Sequence, residues 1–208
     1  MNDFIYLFRT YRHLGILKAL WTLIRIAILP YAKINSIVPQ EGTVLDIGCG
    51  NGGFTNYLAY KSKKRSVIGI DLSRERIKDA KKTSPHNLNT KFLFGDITKF
   101  NIERAGCYIM IDVLHHIPFD KQEEILKFLA LGLNNKSILI IKEVDPSDKL
   151  PFLFGHTVEK ILYPRETIYT RTKIEWIALF NKLNLRCKVF PGAFYFPDST
   201  KVYLLHRG

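Results

Sequence analysis

The stretch "TVLDIGCGNGGF", Thr43 to Phe54, decides how the rest of the chain is read. An apolar run contains an aspartate, Asp46, and three glycines come after it at the spacing G-x-G-x-x-G: Gly48, Gly50 and Gly53. Glycine adopts backbone torsions that other residues avoid and lets a ligand approach the main chain closely. A strand feeding such a turn and then a helix is the form of a cofactor cradle. The spacing alone does not say which cofactor, because several classes share it.

Working outward, strand-like and helix-like patterns alternate. The β-branched runs "TVLDIG", "SVIGIDLS", "TKFLFGD", "CYIMIDVL" and "SILIIKEV" are apolar on both faces, as buried parallel strands are. Helical stretches are predicted near 53–62, 73–82 and 120–133, with Ser73 as an N-cap and Glu123 to Lys127 as an i,i+4 pair. Thr172 and Glu175 have capping-box spacing before an apolar stripe of Trp176, Phe180 and Leu183. Two last strand candidates, "LRCKVF" and "KVYLLHR", are joined too closely for a helical crossover and suit an antiparallel hairpin. The expectation is an α/β fold: a seven-stranded, Rossmann-like, doubly wound sheet with an antiparallel last strand.

In such a sheet, ligands collect beyond the carboxyl ends of the strands where the strand order reverses, and loop 46–53 lies there. Asp46 narrows the choice. A dinucleotide sets its diphosphate on this turn, where a nearby carboxylate repels it. S-adenosylmethionine carries a sulfonium and an ammonium and no phosphate, so the same carboxylate attracts it.

With these residues in view, the chain resembles the class I S-adenosylmethionine-dependent methyltransferases of small-molecule type. "VLDIGCGNG" looks like their first motif, and "VIGIDLS", "FLFGDI" and "IDVLHHI" come next in the family's order, across roughly residues 40–145. The resemblance implies S-adenosyl-L-methionine as cofactor and S-adenosyl-L-homocysteine as product. It implies that Asp46, Gly48, Cys49, Gly50 and Asn51 form the donor loop. Asp71 would grip the ribose hydroxyls beside Leu72, Asp96 and Ile97 would meet the adenine, and Asp112 and Val113 would flank the cofactor. Each has a blander reading: Asp46 and Asp96 as cap or turn aspartates, Asp71 as a turn residue, Cys49 as a space filler.

Methyl transfer from a sulfonium is a direct displacement, so the protein supplies positioning and exclusion of water. A base is needed only where the acceptor loses a proton, as a hydroxyl does. His116 and His115, just past the fourth strand, are the candidates, His116 being favoured slightly; structural shaping of the loop is the alternative. Glu143, past the fifth strand, would bind or deprotonate an acceptor, or pair with a nearby lysine; Asp145 faces the same rim and His156 is a further candidate. The long segment 146–170 carries Phe152, Phe154, Tyr163 and Tyr169; with Phe194 to Phe196 these wall an apolar acceptor pocket or pack in the core.

The 208 residues suit one α/β domain, and 47% of them are hydrophobic, enough for an ordinary core. Three dispersed cysteines fit reduced thiols in a cytoplasmic protein, and no metal-ligand spacing is present. A net charge of +12 favours anionic partners. The densest basic runs, "KSKKR" (61–65) and "KDAKK" (78–82), however, end helices at the edge of the sheet away from the cofactor, which argues against nucleic acid. Residues 39–208 read as the methyltransferase domain and 1–38 as an N-terminal helical segment. In the latter, Arg9, Arg12, Lys18 and Arg25 accompany Phe4, Phe8, Leu17, Leu20, Trp21 and Ile24. It closes over a small or lipid-like acceptor as a lid, or residues 1–30 rest peripherally on a membrane. The expected reaction is methyl transfer to a small or lipid-like apolar acceptor at oxygen or carbon, or at nitrogen; methylation of RNA and a non-catalytic cofactor-binding scaffold are the rival functions.

Overall fold

The computed structural model describes residues 10–12, 15, 31–100, 105–149, 151–153, 157, 167–192 and 199–208. Phe4, Phe8, Arg9, Leu17, Lys18, Leu20, Trp21, Ile24, Arg25, Phe154, His156, Tyr163 and Phe194 to Phe196 lie outside them.

Each β-branched run forms a strand: β1 Gly42–Ile47, β2 Arg65–Asp71, β3 Thr90–Phe94, β4 Cys107–Ile111, β5 Ile138–Val144, β6 Leu185–Pro191 and β7 Thr200–Arg207. They make a seven-stranded sheet in the order β3-β2-β1-β4-β5-β7-β6. β2 pairs in parallel with both β1 and β3, whereas β7 runs antiparallel to both β5 and β6. The expected Rossmann-like sheet with an antiparallel last strand is present. Five helices accompany it among the described residues: α1 Tyr31–Ile37, α2 Gly53–Lys61, α3 Arg74–Thr83, α4 Phe119–Gly132 and α5 Lys173–Lys182. None of the described helices is long and apolar enough to cross a membrane.

The chain divides into two compact units, Met1–Ile109 and Met110–Gly208. In the first, α2 is buried from Gly53 to Ala59, including two polar residues, Thr55 and Asn56. Thr55 donates its hydroxyl to Asp46, and Asn56 donates its amide to the Tyr11 hydroxyl. α1 packs on α2 through Tyr31, whose ring lies 4.7 Å from Phe54 and 5.5 Å from Tyr57. α1, within the segment 1–38, thus packs on α2.

Arg65, the last residue of the basic run 61–65, is not a surface cation. It is 0% exposed. Its guanidinium donates to the carbonyls of Pro39, Leu58 and Val38 at 2.7, 3.0 and 3.0 Å and to Asn35 Oδ1 at 2.6 Å. Backbone oxygens take the place of a carboxylate and tie α1 to α2 and β2. By contrast Lys81 and Lys82 sit in the last turn of α3, where cations offset the helix dipole.

In the second unit, α4 buries Gln122, Leu126 and Leu129, a stripe at i, i+4 and i+7. Glu123 reaches Lys182 at 3.0 Å and Arg171 at 3.5 Å in place of the expected Lys127. α5 opens with the expected capping box between Thr172 and Glu175, and it buries Trp176, Leu179 and Phe180. The Trp176 and Phe180 rings lie 5.8 Å apart and stack.

Candidate active site

In the first unit, β1 ends in a turn that doubles back under β2: the N–H groups of Gly48 and Cys49 both donate to Ile70 O, at 2.8 and 3.1 Å. That closure requires left-handed torsions at Gly48 (φ 73°) and Gly50 (φ 56°). Gly52, not part of the G-x-G-x-x-G spacing, caps α2 at φ 80°, and a Cβ there would meet the Phe92 ring at 2.7 Å. The Cys49 side chain turns into a cluster with Ile77, Ala80 and Phe92. Burial, then the nearby Asp46 and Asp71 charges, push its thiol far up, so it fills space.

The carboxylates brace this turn. Asp46 Oδ2 accepts the Thr55 hydroxyl at 2.5 Å, which joins β1 to α2. Asp71 accepts the Gly50 N–H on Oδ2 and the Ser73 N–H on Oδ1, each at 2.8 Å. A carboxylate oxygen takes two hydrogen bonds, so Asp71 holds the loop and keeps acceptor capacity for a pair of hydroxyls. Asp96 Oδ1 caps the 3₁₀ turn Ile97–Lys99 through Thr98, and Ile97 is buried. Leu72 is 70% exposed beside Asp71. A Cβ at Gly50 would meet nothing within 4 Å, so space opens in front of the loop. Bare glycine backbone, an exposed leucine and carboxylates rather than cations suit S-adenosylmethionine and not a diphosphate.

In the second unit, β4 ends at Asp112, whose φ of 54° turns the chain sharply. Two neighbours on β5 hold the turn and the residues after it. The Lys142 ammonium, buried, donates to Asp112 Oδ1 at 2.8 Å. Glu143 Oε1 accepts the N–H groups of Val113 and Leu114 at 3.0 and 2.7 Å, and its Oε2 lies 2.5 Å from His115 Nδ1. The lysine expected beside Glu143 thus pairs with Asp112, and Glu143 faces the histidine turn Leu114–His116. His115 is 2% exposed, and the exposed His116 ring lies 4.2 Å from it.

Gln122, the polar member of the buried α4 stripe, was not singled out by sequence. Its amide donates to the carbonyls of Leu114, Ile117 and Tyr169, at 3.0, 2.9 and 3.0 Å. Tyr169 N–H donates to His115 O at 2.8 Å, and Arg171 Nε donates to Gln122 Oε1 at 2.8 Å. The end of the long 146–170 segment is thereby fastened to the histidine turn. A glutamine at a position where the helix pattern demands an apolar residue was the available signal.

A Glu143 carboxylate against His115 Nδ1 fixes the tautomer. A carboxylate only accepts, so Nδ1 is the ring nitrogen that carries a proton towards Glu143.

Residues 44–135 match the family described as a methyltransferase domain. Over 108 residues the chain is 28% identical to carboxy-S-adenosyl-L-methionine synthase of Campylobacter jejuni, covering 51% of this chain and 46% of that protein. Over 124 residues it is 32% identical to (S)-tetrahydroprotoberberine N-methyltransferase of Eschscholzia californica, covering 57% and 33%. Among solved structures, the mitomycin 7-O-methyltransferase MmcR superposes with a TM-score of 0.74 at 19% identity, over 97% of this chain and 60% of that one. The chain spans between 24% and 46% of the length of the first curated relatives it matches. Residues 44–135 are thus similar to a methyltransferase domain, and the fold is that of S-adenosylmethionine-dependent methyltransferases.

Proposed function

We propose that the chain methylates a hydroxyl of a small or lipid-like, largely apolar acceptor, with His115 as general base and Glu143 as the residue that orients it. The observation that carries this reading is the buried contact between His115 Nδ1 and Glu143 Oε2 at 2.5 Å. A dyad of this kind has work to do only if the acceptor sheds a proton, which favours oxygen over an amine nitrogen. This reading prefers His115 over His116, which the sequence slightly favours, because His115 has the carboxylate partner and the exposed His116 packs on its ring. Two of these relatives act, by their names, on small molecules, at oxygen and at nitrogen.

S-adenosylmethionine supplies the activated methyl group. Gly48, Gly50 and Asn51 offer it bare backbone, and Asp71 takes its ribose hydroxyls with the capacity left by its two loop bonds. Leu72 and Ile97 line the adenine, with Asp96 at its edge, and Cys49 shapes the loop from below. Asp46 acts by its field, since its oxygen already holds Thr55. Asp112 and Val113 would flank the donor, and Lys142 holds the Asp112 carboxylate.

The test is transfer of a labelled methyl group to a panel of phenols, aliphatic alcohols, amines and bulk RNA, with the products separated by solvent extraction. Label in an extractable phenol or alcohol is expected. Label in RNA alone would replace the reading, and donor binding without transfer to any acceptor would favour the scaffold. Binding of full-length protein to liposomes, lost without residues 1–30, would assign that segment to a membrane surface rather than a lid.

One relative favours a second reading. The Campylobacter jejuni protein is named for modifying the donor itself, and a carboxylated donor in the reaction mixture, read by mass spectrometry, would support that chemistry here.

A further inference from the structure

Tyr11 is one of the few described residues before α1, and it is 0% exposed. A phenol so buried must place its hydroxyl on polar partners. Its O–H donates to the carbonyl of Asn51 at 3.0 Å, 40 positions along the chain. The same oxygen accepts the Asn56 side-chain amide from α2 at 3.2 Å. That amide also lies 3.4 Å from Thr83 O at the end of α3. Burial pushes the Tyr11 hydroxyl far above its ordinary range, so it stays a donor at every pH the protein withstands.

Asn51 stands between Gly50 and Gly52, both in left-handed conformation at φ 56° and 80°. A peptide unit flanked by glycines rotates at little steric cost, so its orientation is set by what its carbonyl and N–H are bonded to. Gly52 N–H is held by Cys49 O at 3.0 Å, and the Asn51 carbonyl accepts Tyr11 at 3.0 Å and, at the longer distance of 3.5 Å, the Thr83 hydroxyl, so Tyr11 is the closer of these two hydroxyl donors.

We infer that Tyr11 is a positioning residue for the donor-binding loop, through which the seating of residues 10–12 and affinity for S-adenosylmethionine are coupled. The inference rests on the proposal that Gly48 to Asn51 hold the donor. Without the hydroxyl, the Asn51 peptide samples other orientations, and donor binding must first restore the competent one. By reciprocity, bound donor holds Tyr11 in its seat.

Calorimetry with S-adenosylhomocysteine on wild type, Tyr11→Phe and an Arg12→Ala control tests this, alongside initial rates with varied donor. Tyr11→Phe is expected to weaken the product by about tenfold, the worth of one buried hydrogen bond. The donor KM should rise equally while kcat at saturating donor stays within about twofold, and Arg12→Ala should match wild type. A purely structural tyrosine would lower the melting temperature and leave donor affinity within about twofold, which overturns the inference. If Tyr11→Phe does not fold, hydrogen exchange at residues 10–12 of wild type decides. Slowing on addition of the product is expected, and unchanged exchange overturns the coupling. A wild type that binds no product removes the methyltransferase reading together with this one, whereas a binding wild type and an unaffected variant remove this one alone.

Discussion

Glu143→Gln keeps the length and planar end of the side chain and removes one charge. The amide oxygen can go on accepting Val113 N–H and Leu114 N–H, now 3.0 and 2.7 Å from Oε1. The amide nitrogen then replaces Oε2 against His115 Nδ1, and a donor faces a donor. The ring answers by moving its proton to Nε2, the nitrogen that should receive the acceptor's proton. A general base is worth roughly 10²–10⁴-fold. The expected loss in kcat is about 10²–10³-fold, or roughly 3–4 kcal/mol at about 1.36 kcal/mol per tenfold. Donor KM should stay within about threefold, because Glu143 touches no proposed donor residue except the Val113 backbone. Stability should fall by only about 1 kcal/mol, as two backbone N–H groups exchange a charged acceptor for a neutral one. The assay is initial-rate transfer of labelled methyl to the acceptor identified by the panel, with histidine ring nitrogen shifts read by NMR. Turnover within about threefold of wild type, or a His115 ring that still carries its proton on Nδ1, would refute the reasoning.

Other perturbations test the frame around the site. Arg65→Met removes the charged donor from the carbonyls of Pro39 and Val38 and from Asn35 Oδ1, while Leu58 O keeps the Ser62 N–H, so about 3 kcal/mol of stability should be lost. That is roughly 6–12 °C in melting temperature at about 2–4 °C per kcal/mol, and a shift under about 3 °C would contradict the buried placement. Gly52→Ala forces a Cβ to 2.7 Å from the Phe92 ring at a left-handed torsion, and about 2–4 kcal/mol of destabilisation is expected by chemical denaturation. Thr172→Ala should cost about 1 kcal/mol by removing the α5 cap. Hydrogen bonds from the Thr172 backbone and then its side chain hold the Glu175 carboxyl below its ordinary range. Its contribution is therefore full above the unfolded-state value and fades as pH falls through the lower folded one, and Glu175→Gln should flatten that acid limb in pH-dependent melts. An acid limb identical to wild type would count against the box.

The strands were legible because each is a short β-branched run closed by a turn signal, and the ladder endpoints fall close to the ends of those runs. The capping box at Thr172 and the Ser73 cap were legible for a similar reason, since the partner is a near neighbour in the chain. What sequence misplaced involves partners that only the fold brings together. His115 meets Glu143 across 28 positions, Asp112 meets Lys142 across 30, and Arg171 meets Gln122 across 49. The expected Glu143–lysine and Glu123–Lys127 pairs were inferred from proximity in the chain, and tertiary geometry assigned those charges elsewhere. The burial of Arg65 was not legible because a basic run is usually solvated, while this residue ends it at the mouth of β2 beneath α1. The glycine turn was legible in composition but not in detail: Gly52, outside the G-x-G-x-x-G spacing, takes the left-handed cap, a torsion no spacing rule reports.

The central claim is that carboxylates around a glycine turn welcome a cationic methyl donor and reject a diphosphate. Titration calorimetry of the full chain with S-adenosylmethionine and, separately, with a nicotinamide dinucleotide measures this directly. Saturable heat with the donor, abolished by Asp71→Ala, and none with the dinucleotide is expected. Uptake of the dinucleotide and indifference to the donor would contradict the account.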